Sequence, residues 1–184
     1  MIHIHATQKL YKKFSLDEQG QLKPDKAGPT APNRAVDINP LRHWHANIMT
    51  IQRRNCVLLV HDQTRFTVFI PCLTKTNFGA FQHEFELAFM NTILKCGANE
   101  QQMNMAHSLL EKIQIDTDCN RSVQGTLNQM VQYAKHMVFY DDIDITQITG
   151  HRLGAHLADT PCTVKGRKHT VWPIREMLAL LGSN

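Results

Sequence analysis

Three β-rich runs joined by two short polar links constrain the fold of this chain more than any other feature. The runs cover residues 44–51, 56–61 and 66–70, and each link has four residues. Links this short connect neighbouring antiparallel strands. The middle run is apolar on both faces, which is typical of a strand at the centre of a sheet. The segment therefore predicts a three-strand antiparallel meander.

The segments on either side of the meander complete an α+β pattern. Ile2 and Ile4 alternate with His3 and His5, which predicts a short N-terminal strand with its isoleucines inward. Apolar residues at helical spacing predict helices near residues 78–96, 99–113, 123–138, 144–158 and 173–182. We therefore expect a single α+β domain over residues 1–184, with a long irregular loop at about residues 15–40. Its small antiparallel sheet would pack against about five helices.

Composition narrows the class of protein without naming a function. The chain has 184 residues, of which 42% are hydrophobic and 20% charged, as in soluble globular proteins. Its longest aliphatic run, residues 57–60, is too short to span a membrane. The five cysteines form no C-x-x-C pair, which favours reduced thiols in the cytoplasm. The net charge of +4 permits nucleic-acid contact without requiring it.

The segment D-C-N-R-S-V-Q-G-T-L-N at residues 118–128 is the leading candidate for a ligand site. Asn120 or Ser122 can cap a helix that starts here, and the free N–H groups of a helix start also attract anions. Arg121 adds a bidentate donor for phosphate or carboxylate. Gly125 and Asn128 share one helical face, where a glycine lets a ligand approach closely. The alternative is a capped helix whose Gly125 packs against another element.

Histidines form a second cluster, in the segment R-H-W-H-A-N at residues 42–47. On a strand, His43, His45 and Asn47 point the same way. Two histidines at this spacing can share a metal ion. No carboxylate or cysteine lies at a sequence spacing typical of a further metal ligand, so no metal site is predicted. His3 and His5 repeat the spacing opposite the isoleucine face, which indicates solvated histidines.

Candidate catalytic groups are few. The chain has no G-x-S-x-G elbow, no P-loop and no G-x-G-x-x-G motif. His43 and His45 are the candidate general bases. Cys119 adjoins the predicted helix start, where a thiol pKa tends to fall, and is the candidate nucleophile.

Two basic segments are candidates for nucleic-acid contact. Arg53 and Arg54 stand at a predicted hairpin tip, from which they can reach phosphates. The most basic short run is K-G-R-K-H at residues 165–169, which contributes Lys165, Arg167 and Lys168. Both patterns are also typical of a solvated surface. A common basic patch requires that the fold bring the two segments together.

The segments W-H-A-N at residues 44–47 and N-R-S-V-x-G-x-x-N at residues 120–128 stand out as motifs. In them the chain resembles a bacterial domain family of unknown function, often encoded in variable or mobile regions of genomes. The resemblance spans about residues 2–181 and implies one compact α+β domain with no established activity. If the two segments meet, one polar site would be lined by Asn47, Arg54, Asn120, Arg121, Ser122 and Asn128.

These features favour a non-enzymatic binding module for an anionic ligand, either a nucleic acid or a phosphate-bearing small molecule, without a cofactor. One alternative is a small hydrolase or phosphodiesterase that uses histidine and arginine. Another is a protein-interaction module of a mobile-element or toxin–antitoxin-like system. Nucleic-acid binding would weaken steeply with added salt.

Overall fold

The computed structural model describes residues 1–22, 39–164 and 166–182. Most of the loop predicted at residues 15–40 lies outside these ranges, as does Lys165. In the described part of the chain the elements follow the order β1 (Ile2–Ala6), α1 (Gln8–Tyr11), β2 (His43–Ile51), β3 (Arg54–His61), β4 (Thr67–Ile70), α2 (Lys75–Gly79), α3 (Phe81–Lys95), α4 (Glu100–Leu109), β5 (Ile113–Asp116), α5 (Arg121–Tyr140), α6 (Gly150–Ala158) and α7 (Pro173–Gly182).

The five strands form one sheet in the order β4-β3-β2-β1-β5. The meander of β2, β3 and β4 is antiparallel, as predicted. The prediction of a wholly antiparallel sheet is wrong, because β1 pairs in parallel with both β2 and β5. Parallel neighbours need a long crossover connection, and the chain between β1 and β2 is long enough to supply one. Ile113, predicted to end a helix, instead begins β5.

The longer helices agree with the sequence pattern. The predicted capping box at the start of α4 is present, with Asn99 accepting from the backbone of Gln102 and the Gln102 side chain accepting in return. Helix α7 begins at Pro173 and ends at Gly182, as predicted. Two single-turn helices, α1 and α2, add to the five longer ones among the described residues. No helix in these ranges is long and apolar enough to cross a membrane.

The sheet is covered differently on its two faces. On one face Trp44 packs edge-on against Phe85 and Phe89 of α3, at 5.2 and 5.6 Å between ring centroids. Helices α1, α2, α4 and α7 contribute to the same core. On the other face α5 packs over β2 and β3, where its buried stripe meets Met49 and Leu58. This second face is therefore apolar where α5 covers it.

Helix α6 lies against strand β4, at the edge of the sheet. A Cβ atom at Gly150 would overlap the carbonyl oxygen of Phe69, and one at Gly154 would come within 3.2 Å of the Thr92 hydroxyl. Glycine at both positions therefore permits a close approach that larger residues would prevent. The packing shields this edge strand from other chains.

Candidate functional site

The parallel pairing of β1 and β2 brings the two His-x-His segments together. His3 lies beside His43, and His5 lies beside His45. The ring centroid of His43 lies 5.5 Å from that of His3 and 5.3 Å from that of His5. The ring centroids of His5 and His45 lie 4.9 Å apart. We call these four side chains the histidine ladder. His3 and His5, predicted to be a separate solvated pair, therefore form one half of a cluster whose other half is His43 and His45.

The histidine ladder occupies the part of the second sheet face that lies beyond α5. The residues of β1 and β5 that point to this face are polar and only partly buried: His3, His5, Gln114 and Asp116. Parallel strands usually have both faces covered, so an open, polar face over β1, which pairs in parallel with β2 and β5, is unusual. This arrangement leaves the rings of His3 and His43 accessible to a ligand.

A hydrogen-bonded chain runs through the ladder from Asp116 to His43. The Nδ1 atom of His5 lies 2.7 Å from Oδ1 of Asp116, and its Nε2 atom lies 3.1 Å from Nδ1 of His43. An ionised carboxylate only accepts, so Nδ1 of His5 carries the proton. In neutral His5, Nε2 then accepts from Nδ1–H of His43. This sequence of bonds leaves the Nε2 lone pair of His43 facing solvent, without a partner among the described residues.

His45 has a different role, because both of its ring nitrogens are occupied. Its Nε2 atom accepts from the backbone N–H of Asn120 at 2.7 Å, and its Nδ1 atom donates to Oδ1 of Asp62 at 2.8 Å. The side chain is almost fully buried. His45 thus ties the start of α5 to the sheet, and it has no free lone pair to act as a base.

The start of α5 is a capped helix terminus. The Oδ1 atom of Asn120 accepts from the backbone N–H groups of Ser122 at 3.0 Å and Val123 at 3.4 Å. The hydroxyl of Ser122 accepts from Nη2 of the buried Arg65 at 3.2 Å. Two of the helix's free N–H groups are therefore already hydrogen-bonded, so the helix start by itself leaves few backbone donors for an anion.

The other predicted residues of this segment lie on the exposed side of α5. Arg121, Gly125 and Asn128 are all exposed. Apart from its chain neighbours and the adjacent backbone of α5, no described atom lies within 4 Å of an ideal Cβ at Gly125, so the expected packing of this glycine against another element is not found. Cys119 is also exposed and free, and its Sγ atom donates to Oε1 of Gln124 at 2.9 Å, not to a histidine.

Asn47 extends the ladder by one step along the strands. It follows His45 on the same face of β2, and its Oδ1 atom accepts from the hydroxyl of Thr7 at 3.0 Å. At the opposite end Nη2 of Arg42 donates to Nε2 of His3 at 3.4 Å. The histidine ladder with these two neighbours forms a polar strip that runs from the guanidinium of Arg42 to the carboxamide of Asn47.

The predicted basic residues do not gather in one place. Arg53 lies in the β2–β3 turn and Arg54 opens β3, whereas Nη2 of Arg167 donates to the carbonyl of Gln63 beyond the end of β3, at 2.8 Å. The eight residues of β3 separate the two groups by about 23 Å, at ~3.3 Å per residue. Arg54 is thereby remote from the start of α5, so the six residues expected to line one polar site are divided. Lys168 is exposed next to Arg167.

Burial and neighbouring cations keep the outer histidines neutral. Desolvation, followed by the charge of Arg42, lowers the pKa of His3 below its usual value. Desolvation, followed by repulsion from His5 when that ring carries a proton, lowers the pKa of His43. At neutral pH both rings are therefore uncharged, and an arriving anion would favour their protonation. Among the described residues, no group of three His, Cys, Asp or Glu side chains is arranged to hold a metal ion.

Comparison with known proteins agrees with the resemblance seen in the sequence. The sequence model of one family, described as a domain of unknown function (DUF6933), matches residues 3–176. No curated protein and no solved structure gives a significant match.

Proposed function

We propose that this chain, which belongs to the DUF6933 family of domains of unknown function, binds single-stranded nucleic acid on its histidine ladder. One observation carries the proposal. Two His-x-His segments from distant parts of the chain lie in register on the open half of a sheet. His45 is held in place by the start of α5, but packing does not require imidazoles at His3, His5 and His43, because the core of the molecule lies on the other face and beneath α5.

The chemistry of the strip suits a phosphate-bearing strand. Arg42 supplies a permanent charge, and His3 and His43 become donors when they take up protons. Flat rings on an open sheet face also provide surfaces on which unpaired bases stack. A free nucleotide presents the same chemistry, so a small phosphate-bearing ligand would compete for the same strip.

The test is binding of a short single-stranded oligonucleotide, measured by fluorescence anisotropy at several salt concentrations. We expect His43→Ala and Arg42→Ala each to weaken binding by about tenfold, as for the loss of one charge-assisted hydrogen bond. Arg53→Ala is the matched control, because it removes an exposed cation at the far end of β2. Wild-type affinity should fall with salt, and with a smaller slope in Arg42→Ala.

Two results would count against this function. Equal affinities of the wild type and the His43→Ala variant would place binding elsewhere. A larger loss in Arg53→Ala than in Arg42→Ala would move the site to the β2–β3 turn.

A further inference from the structure

We propose that the histidine ladder also cleaves the RNA that it binds, with Nε2 of His43 as the general base for a ribose 2′-hydroxyl. This inference rests on the proposed function, because the strand must first lie on the ladder. It differs from that function in requiring a chemical step and a substrate with a 2′-hydroxyl.

His43 is the ladder residue whose surroundings fit a base. His45 and His5 use both ring nitrogens in hydrogen bonds, and Nε2 of His3 accepts from Arg42. Among the four ladder residues, only His43 has its tautomer fixed by a neighbour, His5, while its Nε2 lone pair stays open to solvent. A base must reach the proton that it removes, and His43 is exposed enough to do so.

Asp116 and His5 act through His43 as positioning residues. Nδ1–H of His43 points at Nε2 of His5, and the carboxylate of Asp116 holds His5 in the accepting tautomer. When Nε2 of His43 gains a proton, the new imidazolium faces this line of acceptors. A carboxylate behind an imidazole stabilises such a cation in the same way in acyl-transfer triads.

The substrate class follows from what a lone base can supply. General base catalysis contributes roughly 10²–10⁴-fold, which is modest against the barrier of phosphodiester cleavage. The substrate must therefore bring a well-placed nucleophile of its own. In RNA the 2′-hydroxyl is held next to the phosphorus atom, and such intramolecular placement replaces much of the entropic cost of a bimolecular attack. DNA has no such group.

The reaction balances without any further reagent. His43 takes the proton of the 2′-hydroxyl, the 2′ oxygen attacks phosphorus, and the bond from phosphorus to the 5′ oxygen breaks. The departing 5′ oxygen takes a proton from water. The products are a 2′,3′-cyclic phosphate and a 5′-hydroxyl, and His43 returns its proton to solvent. Arg42 lies beside His3 at the same end of the ladder, where it can stabilise the negative charge on the phosphoryl oxygens.

The charged and titratable groups around His43 fix the expected pH dependence. They are His3 and His5 on β1, Arg42 just before β2, Asp62 after β3 and Asp116 on β5. The His43 pKa is lowered, so the rate should rise with pH below about 6.5 and be level above it. Asp116 raises this pKa, so Asp116→Asn should shift the rise to lower pH and also slow the plateau rate.

The experiment uses a DNA oligonucleotide with one ribonucleotide in its middle, alongside an all-DNA strand of the same sequence. Products are identified by mass spectrometry, and binding of both strands is measured on the same samples. The variants are His43→Gln and Asp116→Asn. The control is His107→Gln, which alters an exposed histidine of α4, a helix of the core on the sheet face opposite the ladder.

We expect cleavage after the single ribose to give a cyclic phosphate, an at least tenfold slower rate in His43→Gln, and an unchanged rate in His107→Gln. Binding without cleavage would overturn the catalytic inference and leave the proposed function standing. Equal cleavage by the wild type and His43→Gln would also overturn it, since a contaminating nuclease behaves in this way. Absence of binding would remove both proposals. If His43→Gln fails to fold, an unshifted pH profile in Asp116→Asn contradicts the inference instead.

Discussion

Acid should destabilise this fold through one buried histidine. His61 lies at the end of β3 and is 1% exposed. Its ring centroid lies 4.9 Å from that of Trp44. Its Nε2 atom donates to the carbonyl of Pro40 at 3.0 Å, and its Nδ1 atom accepts from the hydroxyl of Thr64 at 2.9 Å. A second proton would need the Nδ1 lone pair that Thr64 occupies. Desolvation lowers the pKa of His61 to about 4.

The magnitude follows from the difference between the folded and unfolded pKa values. In the unfolded chain the pKa is about 6.5, so between pH 6.5 and pH 4 the unfolded state binds more protons than the folded state. The contribution of His61 to the free energy of unfolding is therefore complete above pH 6.5 and is lost as the pH falls. At ~1.4 kcal/mol per pKa unit, the loss is about 2 kcal/mol at pH 5 and about 3 kcal/mol at pH 4.

Urea unfolding at pH 8 and pH 5 tests this account in the wild type and in His61→Gln. We expect the variant to be less stable at pH 8, yet to lose about 2 kcal/mol less than the wild type on going to pH 5. His3 and His43 act in the same direction in both proteins, so the difference isolates His61. Exposed His107, changed to Gln, should leave the wild-type loss intact. If the free energy of unfolding fell equally in the wild type and in His61→Gln between pH 8 and pH 5, the reasoning would be refuted.

Four further outcomes are expected. Gly150→Ala should destabilise the protein by about 1–3 kcal/mol in urea unfolding, because a Cβ there meets the backbone of β4, whereas Gly125→Ala in open helix should stabilise it by up to ~1 kcal/mol. Asn120→Ala should cost about 1 kcal/mol, by removal of the α5 cap, in the same assay. Sulfate, whose charge is constant above pH 5, should bind more tightly at pH 6 than at pH 8 by calorimetry, because His3 and His43 then take up protons.

Local patterns predicted the elements of this fold well. The meander depends on short links, the capping box on residues three apart, and the last helix on Pro173 and Gly182, so adjacent residues determine each of them. The direction of β1 depends instead on the route of the chain between β1 and β2. No neighbouring residue encodes that route, and the sheet was therefore expected to be antiparallel.

The same limit applies to the site. His43, His45 and Asn47 were correctly placed on one face of a strand, because side chains alternate along it. Their meeting with His3 and His5 depends on the parallel register of β1 and β2, which no pattern within a single strand encodes. The identical His-x-His spacing in both strands was the available signal. The separation of Arg54 from this cluster could have been deduced, since a hairpin tip lies a full strand away from where β2 begins.

Histidine-selective NMR of the ring nitrogens, at constant pH 7 with added single-stranded RNA, tests the central claim most directly. If RNA binds the ladder, the ring signals of His3 and His43 shift and saturate as RNA is added, while those of His107 stay in place. RNA binding that leaves the signals of His3 and His43 unmoved would contradict the account.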